Sequence, residues 1–439
     1  MTLGGGYSYH LEKYKEPHKK RKMIYFLSTL MILSLEIFIF YKSYAFYEEK
    51  KDFNVINGTV EDSGDHYFAY YVNDTITRDF PTKDSGLTLD TTKSSCTSGV
   101  TISWDDEKWE ANLNYSNYQK NSTTRTKCTL YFKEKPPLAA TLLNNLVSGA
   151  DKSSTDVYTV PNKTDEECTY TLAYDGTSDN NLRYVGKNPC NYVTFNGERS
   201  GWRIIGILNT PEGQRMKLIR TYSIGELSWD NTSTESYSND WTTSTLQTLL
   251  NSGAYYNRTT GQYYNYSSTA TTLDFTRNGL TEAAKNQIDT ITWKLGGIGF
   301  YSSPQTLNYY TDERGTTVYS GRPTEWKGKV GLMYPSDYGY ATSGGTSRHD
   351  RTYCLTLDGV YNSKDCYNND WLYYYSDTTE WTLAPDSSDS NYAYVITNSG
   401  YVVERHTCQN NQVRPSVYLK SSTSILSGEG TLQNPYTIG

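Results

Sequence analysis

His406 and Cys408 stand two residues apart, a spacing that puts both side chains on one face of a strand. A thiol beside an imidazole is the smallest unit of cysteine nucleophilic chemistry, with the imidazole receiving the thiol proton. Beyond the first fifty residues the only other histidines are His66 and His349. No third group that would orient the His406 ring stands nearby in the sequence, so the chain is read as not an enzyme.

Two other constellations concern binding. Asp386, Asp389 and Asn391 group oxygen ligands of the hard type that calcium takes. The competing reading is a set of solvated loop carboxylates. No His/Cys cluster has zinc spacing, and no glycine-rich loop carries the Lys-Ser/Thr of a phosphate site. The sequence therefore calls for no cofactor, calcium being the one metal its loops admit. The stretch Asp370-Trp371-Leu372-Tyr373-Tyr374-Tyr375, followed by Glu380-Trp381 and preceded by Trp326 and Tyr334, sets flat rings beside carboxylates. A shallow sugar site wants that combination; Trp371, Trp381, Asp370, Tyr373 and Trp326 are its candidate residues. The alternative is that these rings fill a core short of Leu and Ile.

Composition narrows the partners. The chain of 439 residues carries a formal charge of −7 and 43 tyrosines. Without a sustained basic stripe outside the first fifty residues, nucleic acid is excluded as a partner. Abundant Tyr suits strands. The spacing of six of the seven cysteines suggests three local pairs, Cys96–Cys128, Cys168–Cys190 and Cys354–Cys366. Each would close a loop and contribute about 3 kcal/mol, in an oxidising compartment. Cys408 is left over, and its pairing with Cys354 or Cys366 is the alternative connectivity.

The elements that must position these residues begin after a leader. The basic cluster His18 to Lys22 precedes an apolar run from Met23 to Tyr41, long enough to cross a bilayer. Glu36 within it costs about 2.5–3.5 kcal/mol at a bilayer centre, less toward the edge. The basic side faces the cytoplasm. The expected location is the cell membrane, single-pass through residues 23–41, with the C-terminal part outside. Cleavage after Ala45, where Ser43-Tyr44-Ala45 offers small residues, would make the protein secreted instead.

Four segments follow from this reading: residues 1–45 as basic segment plus anchor or signal peptide, 46–135 as a small β-sandwich, 136–156 as a linker opened by Pro136-Pro137, and 157–439 as a loop-rich domain. The class is α+β, dominated by β. In the sandwich, Tyr67–Val72, Val100–Trp104 and Thr129–Phe132 read as strands, with Trp109, Ala111 and Leu113 on one face. Strands alternating without a helix over about ninety residues suggest an immunoglobulin-like sandwich. In the larger domain, Trp202–Leu208 is apolar on both faces, as a central strand requires, and Met216–Arg220 returns beside it. Asp240 is expected to cap a helix bearing Leu246, Leu249 and Leu250, and Thr281 a second helix. Tyr392–Ile396 and Val413–Leu419 are the last expected strands.

A resemblance rests on a series of motifs: Asn180-Asn181-Leu182-Arg183-Tyr184-Val185-Gly186, Gly201-Trp202-Arg203-Ile204-Ile205-Gly206, Trp381-Thr382-Leu383-Ala384-Pro385 and Val413-Arg414-Pro415-Ser416-Val417-Tyr418-Leu419. Together they resemble a class of uncharacterised exported proteins of gut Gram-positive bacteria. The resemblance implies a C-terminal domain similar to the C-type-lectin-like and formylglycine-generating-enzyme-like folds. The enzymes of that group use a cysteine pair and copper, and this chain has one spare thiol in place of the pair. The expected function is a noncatalytic surface adhesin for a glycan or a host or envelope protein. A structural envelope protein is the alternative, and an envelope enzyme the third.

Overall fold

The computed structural model describes residues 55–439 apart from 57–58, 61–65, 84, 86, 106–107, 115, 118–125, 135–137, 161–166, 300–304, 346–347, 358–362 and 375–378. The apolar run 23–41 and the cleavage motif at 43–45 lie outside the described residues. Among those described, no helix is long and apolar enough to cross a membrane. The protein is α+β and mostly sheet, and it divides into two compact units, residues 1–135 and 136–439.

The smaller unit contains β1 (His66–Val72), β2 (Thr75–Thr77), β3 (Leu87–Leu89), β4 (Ser95–Cys96), β5 (Thr101–Asp105), β6 (Glu110–Asn114) and β7 (Thr126–Glu134). β1 and β7 lie side by side and run parallel, with Phe68 opposite Cys128 and Tyr70 opposite Leu130. β2, β3 and β4 extend this sheet, while β5 and β6 form a separate hairpin. Alternation decides what is buried: Phe68, Tyr70, Leu130 and Phe132 form the core, and Trp104, Trp109 and Leu113 of the hairpin pack against it. Trp109 has a positive φ of 58°, and its indole N–H donates to the Pro81 carbonyl at 2.6 Å. The Cys96–Cys128 disulfide ties β4 to β7.

In the larger unit, residues 136–156, expected as a linker, supply α1 (Ala139–Ser148) and β8 (Asp151–Lys152). Leu143 and Val147 of α1 enter the main core, and β8 pairs with β9 (Val157–Thr159). The apolar face of α1 makes this stretch part of the domain. β10 (Thr171–Tyr174), β11 (Leu182–Tyr184), β12 (Tyr192–Phe195), β13 (Glu198–Thr210), β14 (Gly213–Arg220) and β15 (Glu226–Leu227) follow. Next come α2 (Thr245–Asn251), α3 (Glu282–Gln287), β16 (Ile291–Lys294), α4 (Thr306–Glu313), β17 (Glu325–Gly328), β18 (Val330–Gly331) and α5 (Pro335–Tyr340). The chain closes with β19 (Glu380–Pro385), β20 (Tyr392–Ile396), β21 (Val402–His406), β22 (Asn411–Gln412), β23 (Ser416–Tyr418), β24 (Ile425–Ser427) and β25 (Tyr436–Ile438).

An eleven-stranded sheet runs β8-β9-β10-β11-β13-β12-β25-β24, with β14 bridging β13 to β23 and β18 pairing with β23. β13 sits at its centre, as its two apolar faces require, and bulges between Ile204 and Gly206. Only glycine fits at Gly206, where a Cβ would stand 2.1 Å from the Leu182 carbonyl oxygen. A second sheet has the order β15-β22-β19-β20-β21. The cap of α2 is Ser244, whose hydroxyl accepts from the Gln247 N–H. Asp240 instead caps the 3-10 turn Trp241–Thr243 just before it, because its carboxylate reaches Thr242 N at 2.9 Å. The expected strand Val413–Leu419 shortens to β23. Arg414 turns inward there, placing Nε 2.6 Å from Glu380 Oε1, so the backbone leaves the ladder.

Candidate functional site

The aromatic and acidic residues picked out by the sequence are mostly interior. Trp371 and Trp381 are 5% and 1% exposed. Their indole N–H groups donate inward, to Tyr184 O at 2.9 Å and Leu227 O at 2.8 Å. The Arg203 guanidinium stacks 4.6 Å from the Trp371 ring, and Trp229 packs edge-on to Trp381. Asp370 is buried and caps the following turn through Leu372 N. Tyr373, half-buried, donates to the Asn398 carbonyl. Trp326 meets Trp241 edge-on at 6.0 Å and stands opposite Trp293 in the β16–β17 ladder. These five residues do not converge on a surface site. Residues of these types serve both as ligand platforms and as core in a chain poor in aliphatics, and here packing takes most of them.

Asp386, Asp389 and Asn391 do sit together, in the turn joining β19 to β20. The Asp386 carboxylate accepts from Ser388 N, Ser388 Oγ and Asp389 N at 2.6–3.0 Å. Asp389 accepts from Asn391 N at 2.8 Å. The carboxylates thus organise their own loop. Among the described residues no group of three His, Cys, Asp or Glu side chains is placed to hold a metal ion.

A pocket of about 360 Å³ opens elsewhere on the larger unit. It collects Ser178 and Asp179 from the turn before β11, Asn209 to Pro211 from the β13–β14 turn, Ile291 to Lys294 of β16, Arg314 after α4, Tyr334 before α5, and Tyr418 of β23. Trp293, Tyr334 and Tyr418 are nearly closed to solvent and form its floor. Trp293 stands edge-on to Tyr418 at 4.9 Å. The Gly331 backbone admits this ring, since a Cβ there would come within 2.8 Å of it. Tyr334 Oη donates to Lys294 O and accepts from Lys294 N, at 2.9 and 3.0 Å.

Behind the floor lies a buried ionic network. Lys217 Nζ is 4.5 Å from the Tyr334 ring centre and 5.2 Å from those of Trp293 and Tyr418, and it pairs with Asp337. Arg183 bridges Asp337 and Asp175, at 2.7 and 3.1 Å. Burial pulls the Lys217 ammonium down to about 8 against the pull of Asp337. Burial would raise Asp337, yet Lys217 and Arg183 hold its carboxyl well below the usual range. The pair is therefore ionised at neutral pH. Burial pushes Glu313 up to about 7, against the neighbouring Arg314 and the Ser336 donors.

This network fixes the pocket rim. Asp175 accepts from Thr177 N, Thr177 Oγ1 and Asn181 N, so the turn carrying Asp179 has one shape. Asp179 accepts from the Tyr310 hydroxyl, and Arg314 Nε lies 3.6 Å away. Glu212 accepts from Thr292 Oγ1 at 2.7 Å, locking the β13–β14 turn onto β16. The result is a preformed bowl with a partly exposed carboxylate, a guanidinium, an ammonium, an amide and hydroxyls around an apolar floor, which is how small-ligand sites are built. Of these residues only Tyr334 is singled out by the sequence as a ligand candidate. The rest come from five separate segments whose residue types are ordinary in isolation.

The remaining constellation, His406 and Cys408, does come together: His406 Nδ1 lies 3.2 Å from Cys408 Sγ. The other six cysteines form the three disulfides that their spacing suggests, and Cys408 is free and buried. No family model, curated protein or solved structure matches the chain.

Proposed function

We propose that the chain is an exported, noncatalytic ligand-binding protein, held at the cell membrane through residues 23–41. On this reading the smaller, immunoglobulin-like unit is a spacer and the larger, lectin-like unit is the head. The Asp179/Thr292/Arg314 pocket is the ligand site, and its ligand is a small saccharide or the end of a glycan. One observation carries the reading: polar groups of both hydrogen-bonding senses stand at fixed positions around an apolar floor. A sugar presents hydroxyls that donate and accept around a C–H face, and so matches both parts. Rigid placement lowers the entropic cost of capture. Three disulfides support an oxidising location.

The test is a glycan array with the full chain in detergent, repeated with Asp179→Asn and Thr292→Ala. Saccharide binding that both variants weaken supports the proposal. Silence from a folded, disulfide-bonded sample removes glycans, and binding unchanged by both variants removes this pocket.

A further inference from the structure

A second cleft on the larger unit, of about 320 Å³, shares no lining residue with the first. Cys408 and His406 line it together with Glu404, Arg405, Gln409 and the exposed Tyr266. The pair is held by the fold. His406 ends β21 directly across from Tyr392 of β20. Its ring stands between Tyr392 at 5.0 Å and Tyr237 at 4.5 Å, both edge-on. The turn that carries Cys408 is pinned on both sides. Thr407 N donates to Asn391 O and Thr407 O accepts from Trp229 N, each at 2.8 Å, and Gln409 N donates to His406 O at 2.9 Å. Cys408 itself is 5% exposed. Burial pushes this thiol up, and an imidazole nitrogen stands 3.2 Å away to take its proton.

We infer that Cys408 is a capture site for a small amino-acid-type disulfide of the cystine class, using His406 as proton acceptor. The other six cysteines are already paired, so a disulfide-rich compartment supplies the co-reactant. Glu404 and Arg405 both line the cleft, giving it residues of both charge signs for a ligand that carries an ammonium and a carboxylate. The Cys408 thiol proton passes to His406 Nδ1, and the thiolate sulfur attacks one sulfur of the ligand. The ligand S–S bond breaks as the Cys408–ligand S–S bond forms. The departing thiolate takes the proton from His406 and leaves as a free thiol. One disulfide is consumed and one is made, so no further oxidant is needed.

The experiment incubates the full chain with cystine and follows intact mass and peptide maps over time. The expected result is one half-cystine added at Cys408 in the folded chain and none in Cys408→Ser. His406→Gln should slow the addition roughly tenfold or more, a modest share of the 10²–10⁴ that positioned proton transfer supplies. Arg405→Gln should slow cystine while leaving the neutral hydroxyethyl disulfide unchanged. Addition only after denaturation, or equal rates for His406→Gln and the native chain, overturns the capture site. An equal effect of Arg405→Gln on both disulfides overturns the ligand class. The saccharide proposal fails or survives separately, because Asp179→Asn leaves this cleft intact.

Discussion

Lys217 Nζ lies 2.5 Å from Asp337 Oδ2, and neither side chain reaches solvent. Removing one member of such a pair leaves an uncompensated buried charge, at a cost of about 3–5 kcal/mol. Asp337→Asn should therefore lower the urea unfolding free energy by about that much. Lys217→Met added to it should recover part of the loss. Arg183, the other cation on Asp337, keeps the recovery incomplete. A loss below about 1 kcal/mol for the single variant would show that the network does not support the floor of the pocket.

Trp381 separates a packing role from a ligand role. It is 1% exposed within the main core, and truncating a buried Trp costs about 3–5 kcal/mol. Trp381→Ala should lower the melting temperature sharply, and any loss of ligand should track the loss of folded protein. A folded, normally stable Trp381→Ala chain that had lost binding would return Trp381 to the ligand site.

Asp179 is the rim residue whose charge can be removed with least damage. Its side chain is about one-third exposed, and asparagine keeps an acceptor for the Tyr310 hydroxyl. Asp179→Asn should weaken saccharide binding about tenfold, or about 1.4 kcal/mol, with little change in melting temperature. Isothermal titration with an array-identified glycan reads both the affinity and its change.

Glu313 makes stability depend on pH in a stated direction. Its folded value, about 7, lies above the ordinary glutamate value of 4.5 because burial disfavours the carboxylate. The folded state then holds the proton more tightly, so this contribution is complete below about 4.5 and is lost as pH rises through about 7. Between pH 4.5 and 7, Glu313→Gln should lose less unfolding free energy than the native chain. Parallel slopes in urea melts at pH 5 and pH 7.5 would contradict this.

Much of the framework was legible because strand patterning is local. The two apolar faces of Trp202 to Leu208 imply β13, and cysteine spacing implies three bridges. Helices α4 and α5 were not anticipated, since Leu307, Tyr309 and Tyr310, or Tyr338 and Tyr340, give no clear helical stripe. α5 relies on Pro335 at its start and on Asp337 capping Tyr334 N at 2.9 Å. The pocket was invisible for a different reason. Asp179, Thr292 and Arg314 lie more than twenty residues apart in sequence, and only long-range contacts such as Thr292 on Glu212 and Arg314 beside Asp179 bring them together. Aromatic richness near Trp371 misled, because residue type does not say which side of a ring faces water.

Each unit is latched by a strand that the ribosome makes late. β7 completes the smaller sheet beside β1, some sixty residues earlier. β25 inserts next to β12 with Tyr436 opposite Val193, across nearly the whole larger unit. Neither core can shut until its latch strand is available, so the larger unit stays open until residue 438 is in hand. The same order leaves half-made sheet edges exposed, which makes the interval before β25 docks the period in which this protein most needs chaperone protection.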